Sequence, residues 1–195
     1  MLKAPITIED YNPIWADTFQ ELKSIYDLHL ADLIEDIQHV GSTSVVGLAA
    51  KPIIDIDIII SNDRQSLPSI IKKLSLLGYQ HRGSQGITDR EAFKRINVKT
   101  PWNGSSRSWQ AHHLYVCPAN SIILKNHLAL RDFLRAYPDK AKEYGELKKQ
   151  LALDNPFDMD TYIERKTPFI TTILEKVGFS GIEIDTISSE NKASR

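Results

Sequence analysis

Two acids set two residues apart in a run of isoleucines are the side chains of this sequence best placed to do chemistry: Lys51-Pro52-Ile53-Ile54-Asp55-Ile56-Asp57-Ile58-Ile59-Ile60. Strand side chains alternate faces, so Asp55 and Asp57 share one side while Ile54, Ile56 and Ile58 share the other. Carboxylates on one face repel unless a cation, a base or a shared proton separates them. A hard divalent cation such as Mg²⁺ suits the pair, because it takes one or two carboxylates and completes its shell with substrate phosphates. A solvated edge strand is the plainer alternative. The continuous apolar flanks argue instead for a strand buried on both faces, where polar groups need a partner or a cleft. Upstream, Gly41-Ser42 forms a turn whose backbone N–H groups and hydroxyl can cradle a phosphate oxygen. Lys51, just before the acidic strand, can neutralise phosphate or pair with an acid.

A second set of candidates lies downstream. In Ala111-His112-His113-Leu114-Tyr115-Val116-Cys117 the alternation puts His113 and Tyr115 on one face, and His112 and Leu114 on the other. Leu114 marks the core side, so His113 is the better site candidate. Arg90, Lys94 and Arg95 lie on the segment approaching a neighbouring strand, and strand alternation keeps Lys94 and Arg95 from entering one cleft together. His127 and Arg131 share a helix face at i, i+4. Arg131 has the fork geometry of a phosphate clamp, with an ion pair to a neighbouring acid as the competing reading. Lys148 and Lys166 read as solvated helix positions. Cys117 reads as a packed core thiol.

These groups need elements to position them. Ile6 and Ile8 suggest a short opening strand. Asn12-Pro13 then starts a helix over 13–31 with Trp15, Phe19, Leu22 and Tyr26 at helical spacing. Strands are expected over 35–40, 52–60, 92–98 and 111–117, a helix over 67–77, and helices near 120–136, 139–152 and 158–177. The class is α+β: a mixed sheet covered on one side by helices, with a C-terminal helical extension. We expect one domain over residues 1–180, sheet-rich to 118 and helical from 119, then a polar, flexible tail over 181–195.

Composition sets bounds. With 195 residues, 42% hydrophobic and 25% charged, the chain has an ordinary globular balance. Its 24 basic and 25 acidic residues exert no overall pull on nucleic acid or membrane. There is no basic–aromatic stripe to favour RNA. The single cysteine excludes an intrachain disulfide and a cysteine-rich zinc site. No signal-like or membrane-length apolar run is visible, so a cytoplasmic location and no membrane partner are expected. Oligomeric state is not readable.

A Gly-Ser turn followed by Asp-x-Asp in an apolar strand resembles the signature of the polymerase-β-like nucleotidyltransferase superfamily. The resemblance sharpens over residues 39–55, His39-Val40-Gly41-Ser42-Thr43-Ser44-Val45-Val46-Gly47-Leu48-Ala49-Ala50-Lys51-Pro52-Ile53-Ile54-Asp55, which is similar to the central motif of the GrpB family. The double-histidine strand at 111–116, the arginine–aspartate helix at 127–135, Glu143-Tyr144-Gly145-Glu146-Leu147-Lys148 and Tyr162-Ile163-Glu164-Arg165-Lys166 follow in the family's order. That family resembles the nucleotidyltransferase fold, a related domain occurs fused to dephospho-CoA kinase, and its reaction is not established. Two departures matter. Tyr115 stands where members often carry a further histidine. The strand that should bear a third carboxylate carries His113 instead, with Glu91 as a fallback acid.

The resemblance implies a metal-dependent nucleotidyltransferase using Mg²⁺ or Mn²⁺ and an NTP. Asp55, Asp57 and His113 would hold metal, with Lys51 beside them in the catalytic group. Gly41, Ser42, Arg90, Lys94 and Arg131 would contact the nucleotide. A non-catalytic nucleotide- or coenzyme-binding module and a metal-dependent phosphate-ester hydrolase are the alternatives. In each case the partner is a nucleotide or another phosphorylated small molecule.

Overall fold

The computed structural model describes residues 4–193. Its centre is a five-stranded mixed sheet in the order β1-β2-β5-β4-β3. The strands are β1 (Asp36–Val40), β2 (Ile54–Ile60), β3 (Tyr79–His81), β4 (Glu91–Arg95) and β5 (His112–Pro118). Only β2 and β5 run parallel; β1 pairs antiparallel with β2, and β4 antiparallel with both β5 and β3. The acidic strand therefore lies inside the sheet, not at its edge.

Alternation sorts the two faces. Ile54, Ile56, Ile58 and Ile60 of β2, with Leu114 and Val116 of β5, enter a core shared with α1 (Ile14–Leu30) and α2 (Leu67–Leu76). Helix α1 forms because Asn12 Oδ1 accepts from the Ile14 N–H at 3.1 Å and Trp15, Phe19, Leu22 and Tyr26 make one buried stripe. Fully burying an apolar side chain such as Phe19 or Leu22 stabilises the fold by roughly 1.5–3 kcal/mol. The opposite face carries Asp55, Asp57, His113 and Tyr115, and is crossed by α3 (Ile122–Ala136) through Ile123 and Leu124 packed on Ile59 and Cys117. Helices α4 (Pro138–Asp154) and α5 (Met159–Lys176) complete a second core with Val45, Leu48, Leu134 and Tyr144. A cleft remains between this helical region and the acidic face.

Three expectations are corrected. Residues 6–8 form no strand: Ile6 N–H donates to Pro156 O at 2.7 Å, and the segment's ladder is the single bridge Glu9–Ala50. The strand expected over 92–98 ends at Arg95, because the chain turns so that Ile96 N–H bonds Gly78 O and leaves Ile96 exposed. The expected flexible tail from 181 is helix α6 (Gly181–Ala193). Ser180 and Glu183 make a reciprocal capping box at its start, and Ile187 is buried in the second core. Ser194 and Arg195 lie outside the described residues. Among the described residues no helix is long and apolar enough to cross a membrane.

Candidate active site

Register fixes the centre of the site. Asp55 of β2 stands beside His113 of β5, and Asp57 beside Tyr115. His113 Nδ1–H donates to Asp55 Oδ1 at 2.9 Å. From α3, His127 Nδ1–H donates to Asp57 Oδ2 at 2.7 Å. Each acid thus has its own histidine, which relieves the repulsion inherent in the pair. Burial pushes the Asp55 carboxyl up, but the hydrogen bond and charge of His113, with His127 and Lys51, outweigh it and hold the group below its ordinary value. Burial pushes His127 down, and Asp57 outweighs that to raise it. Asp57 is fully buried, and its Oδ1 has no hydrogen-bond partner.

The Gly41 turn closes one wall. Its φ of 67° is left-handed, and a Cβ there would stand 2.2 Å from Asp55 Oδ2. Glycine is required both by backbone and by this close approach. Beside it, the Lys148 ammonium donates to Ser42 Oγ at 2.8 Å and Ala49 O at 2.5 Å. Lys148, Lys166 and Lys51 line a cavity of about 250 Å³ with Ser42, Asp55 and His113. Burial holds Lys148 well below the usual lysine range, with Lys166 and Lys51 adding to the effect. Burial, then Lys51, brings Lys166 to about 8. Among the described residues lining this cavity, Asp55 is the one carboxylate beside the three lysines.

Of the residues singled out from sequence, Ser42, Lys51, Asp55 and His113 line this cavity and Gly41 packs against Asp55, whereas Asp57 is fully buried beside Asp55 on β2 and lines neither this cavity nor the adjoining one. Arg90 lines the adjoining part of the cleft, its guanidinium 4.5 Å over the Tyr115 ring and donating to Ser84 O at 3.4 Å. Arg131 also reaches the cleft, but its Nε donates to Asp132 at 2.7 Å and its Nη1 to Gln38 Oε1 and His39 O. Its bonds are those of a strut between α3 and β1. Lys94 is exposed and borders a neighbouring hollow that touches His113 from the side away from the lysines. Glu91 shares the register position of Val116, on the core face, and accepts from His81 at 2.7 Å, so it supplies no third acid to the cleft. Lys148 and Lys166 overturn the reading of solvated helix faces. His127, which the sequence singles out only for sharing a helix face with Arg131, lines the adjoining part of the cleft together with Asn126. The sequence signal for these residues is polar side chains falling on the buried stripes of α3, α4 and α5, alongside Ile123, Leu134, Tyr144, Leu151, Tyr162 and Ile170.

The donors fit a hard cation. Asp57 Oδ1 is a buried carboxylate oxygen lacking a partner, next to a second carboxylate on the same strand face. Among the described residues no three His, Cys, Asp or Glu side chains cluster to hold a metal unaided. The expected set of Asp55, Asp57 and His113 is therefore not such a group, and His113 Nδ1 is committed to Asp55 at 2.9 Å.

The sequence pattern of the family described as "GrpB protein" matches residues 5–176. The UPF0157 protein YqkA of Bacillus subtilis is 35% identical over 173 residues, 89% of this chain, which spans only 47% of that relative's length. The UPF0157 protein SCO7215 of Streptomyces coelicolor is 33% identical, over 89% of this chain and 84% of its own. The crystal structure of conserved protein GrpB from Enterococcus faecalis superposes with a TM-score of 0.73 at 29% identity, over 88% of this chain and 99% of that one. Terminal uridylyl transferase 4 from Trypanosoma brucei, with bound dUTP, gives a TM-score of 0.50 at 11% identity, over 92% of this chain and 59% of that one. The last likeness concerns the fold alone, which is nucleotidyltransferase-like.

Proposed function

The chain belongs to the GrpB family, and from that premise we propose that it is a metal-dependent nucleotidyltransferase, moving a nucleoside monophosphate from an NTP to an acceptor. The observation that carries this reading is the placement of Asp55 and Asp57 on one strand face, with the Gly41-Ser42 turn and Lys51, Lys148 and Lys166 around Asp55. Asp55 and Asp57 would hold Mg²⁺ or Mn²⁺, which supplies positive charge to the triphosphate when bound. The Ser42 hydroxyl, held by Lys148, orients phosphate at the turn. Lys51 and Lys166 offset charge on the phosphoryl oxygens. His113 commits its Nδ1 proton to Asp55 and keeps Nε2 as a lone-pair site to accept a proton from an acceptor hydroxyl. Phosphoryl chemistry of this kind is mostly positioning and electrostatics, so this short set is adequate.

The test is calorimetric titration of an NTP panel with Mg²⁺ or Mn²⁺ into the wild type and Asp55→Asn/Asp57→Asn. Metal-dependent binding by the wild type, lost in the double variant, is the expected result. No binding by the wild type with either metal overturns it. A second reading, a binding module without turnover, is favoured by one observation: His113 stands where a third carboxylate is expected. Tight NTP binding without pyrophosphate release across acceptor classes would select it. Mn²⁺-dependent release of phosphate from simple esters, without NTP binding, would select a hydrolase.

A further inference from the structure

The part of the cleft next to the lysine cavity carries two unexplained polar atoms. It encloses about 260 Å³, near the lower end of the roughly 300–1,000 Å³ typical of small-molecule sites. One wall is a single face of α3, on which Ile123, Asn126, Leu130 and Leu134 follow at helical spacing. At about 1.5 Å rise per residue, Asn126 and Leu134 stand about 12 Å apart along it. Gly41, Ser42, Asp55 and Lys166 line the same space. Ile87 and Ile123, joined in one apolar cluster with Ile59 and Cys117, line the end where α3 begins.

That end holds the two atoms. Asn126 is 7% exposed and Arg90 8% exposed. Asn126 Oδ1 and Arg90 Nε are both buried without a hydrogen-bond partner. One is an acceptor and the other a donor. An orphaned buried donor or acceptor is costly in the free protein, so two of them in residues that line one cavity call for a ligand that satisfies them. Arg90 cannot easily swing to another partner, because its guanidinium is seated on the Tyr115 ring and tethered to Ser84 O. A ligand for this end must be flat or narrow enough for apolar walls, and must offer an acceptor beside a donor. The edge of a nucleobase has that pattern.

We propose that this end of the cleft is a nucleobase pocket in which Asn126 and Arg90 read the base edge and set which NTP is bound. The proposal rests on the nucleotidyltransferase reading and deepens it: the acids and lysines serve the triphosphate, whereas Asn126 and Arg90 serve specificity. A site that hydrogen-bonds its substrate's polar edge rejects analogues lacking the match, since its own buried groups are then unpaired.

The experiment is calorimetry with Mg²⁺ on ATP, GTP, CTP, UTP and inorganic triphosphate, using the wild type, Asn126→Leu and Arg90→Lys. The wild type should bind one NTP at least about tenfold more tightly than the others and than inorganic triphosphate, the equivalent of one satisfied buried hydrogen bond. Asn126→Leu should hold inorganic triphosphate as the wild type does while the preference among NTPs collapses. Arg90→Lys, which keeps the charge but lacks Nε, should collapse it too. Without ligand, Asn126→Leu should melt no lower than the wild type, because it removes an orphan and keeps the volume. If the wild type binds inorganic triphosphate as tightly as every NTP, the pocket does not read a base and the proposal falls, while the phosphate and metal assignment stands. A preference that survives in Asn126→Leu also overturns it. If the wild type binds neither inorganic triphosphate nor any NTP, the functional reading fails and this proposal with it.

Discussion

The two faces of the sheet around β2 and β5 carry titratable groups, yet treat them in opposite ways. On the helix-covered face, Tyr26, Tyr79 and His112 form a chain: Tyr26 and Tyr79 hydroxyls meet at 2.6 Å, and Tyr79 reaches His112 Nε2 at 2.5 Å. Burial there drives each group to its neutral form, raising both tyrosines and lowering His112 to about 3. On the cleft face Asp55 and His127 are only partly buried, and the effect of burial is opposed by partners of opposite charge, so Asp55 is held down and His127 up. Burial alone neutralises; burial with a matched partner preserves charge. The first arrangement makes a core. The second makes a place where charge is available for a ligand.

The largest expected effect tests that distinction directly. His127→Leu removes the partner of a fully buried acid and should destabilise the metal-free protein by about 3–5 kcal/mol, the usual result of stranding one member of a buried pair. Adding Asp57→Asn should recover most of the loss, because the charge is then gone as well. Urea unfolding of the single and double variants in EDTA measures both. Additive losses would mean that His127 and Asp57 are not a coupled pair, and the contrast between the faces would fail.

On the neutral face the expected change is smaller. His112→Phe keeps an aromatic ring but loses the bonds to Tyr79 and to Gln110 O, costing about 1–2 kcal/mol at pH 7. Its pH dependence is the sharper readout. His112 has a folded value near 3, below its ordinary 6.5, so it protonates more readily when unfolded. Its neutral burial contributes stability that is full above 6.5 and is lost as the pH falls toward 3. His112→Phe should therefore lose stability less steeply than the wild type between pH 6.5 and 4.5. Some slope should persist, because buried His39 is lowered to about 4 and titrates in the same sense. Denaturation midpoints across that range decide it.

What was legible in the sequence follows the same division. Alternation in Ile54–Ile60 and in His112–Pro118 sufficed to put Asp55, Asp57 and His113 on one face, because a period of two is fixed by the backbone. The long helices were legible through their apolar stripes. Contacts between distant elements were not. Nothing local to Lys148 says that Ser42, 106 residues earlier, will be its partner, and nothing local to His127 points to Asp57. Helix α6 is hard to read for a different reason: its capping signal, Ser180-Gly181-Ile182-Glu183, is local, but the polar composition that follows it masks the helix.

The lysine cluster yields the smallest effect and the finest test. Lys166 is lowered to about 8 against an ordinary 10.5, with burial as the main cause and Lys51 adding repulsion. A lysine whose folded value is depressed holds its proton more weakly when folded, so its charge opposes folding below pH 8, and that opposition fades as the pH rises to 10.5. Lys166→Met should remove this contribution. Relative to the wild type, the variant should be more stable at pH 7 and the gap should shrink steadily between pH 8 and 10. A bound polyanion should reverse the order at pH 7, because inorganic triphosphate with Mg²⁺ would protect the wild type more than the variant. Thermal melts at pH 7 and 10, with and without triphosphate, separate the two contributions. If the variant is less stable at pH 7 without ligand, Lys166 is a structural cation whose removal exposes Asp55. If the order fails to reverse with triphosphate, the cluster of lysines is not where the phosphates sit.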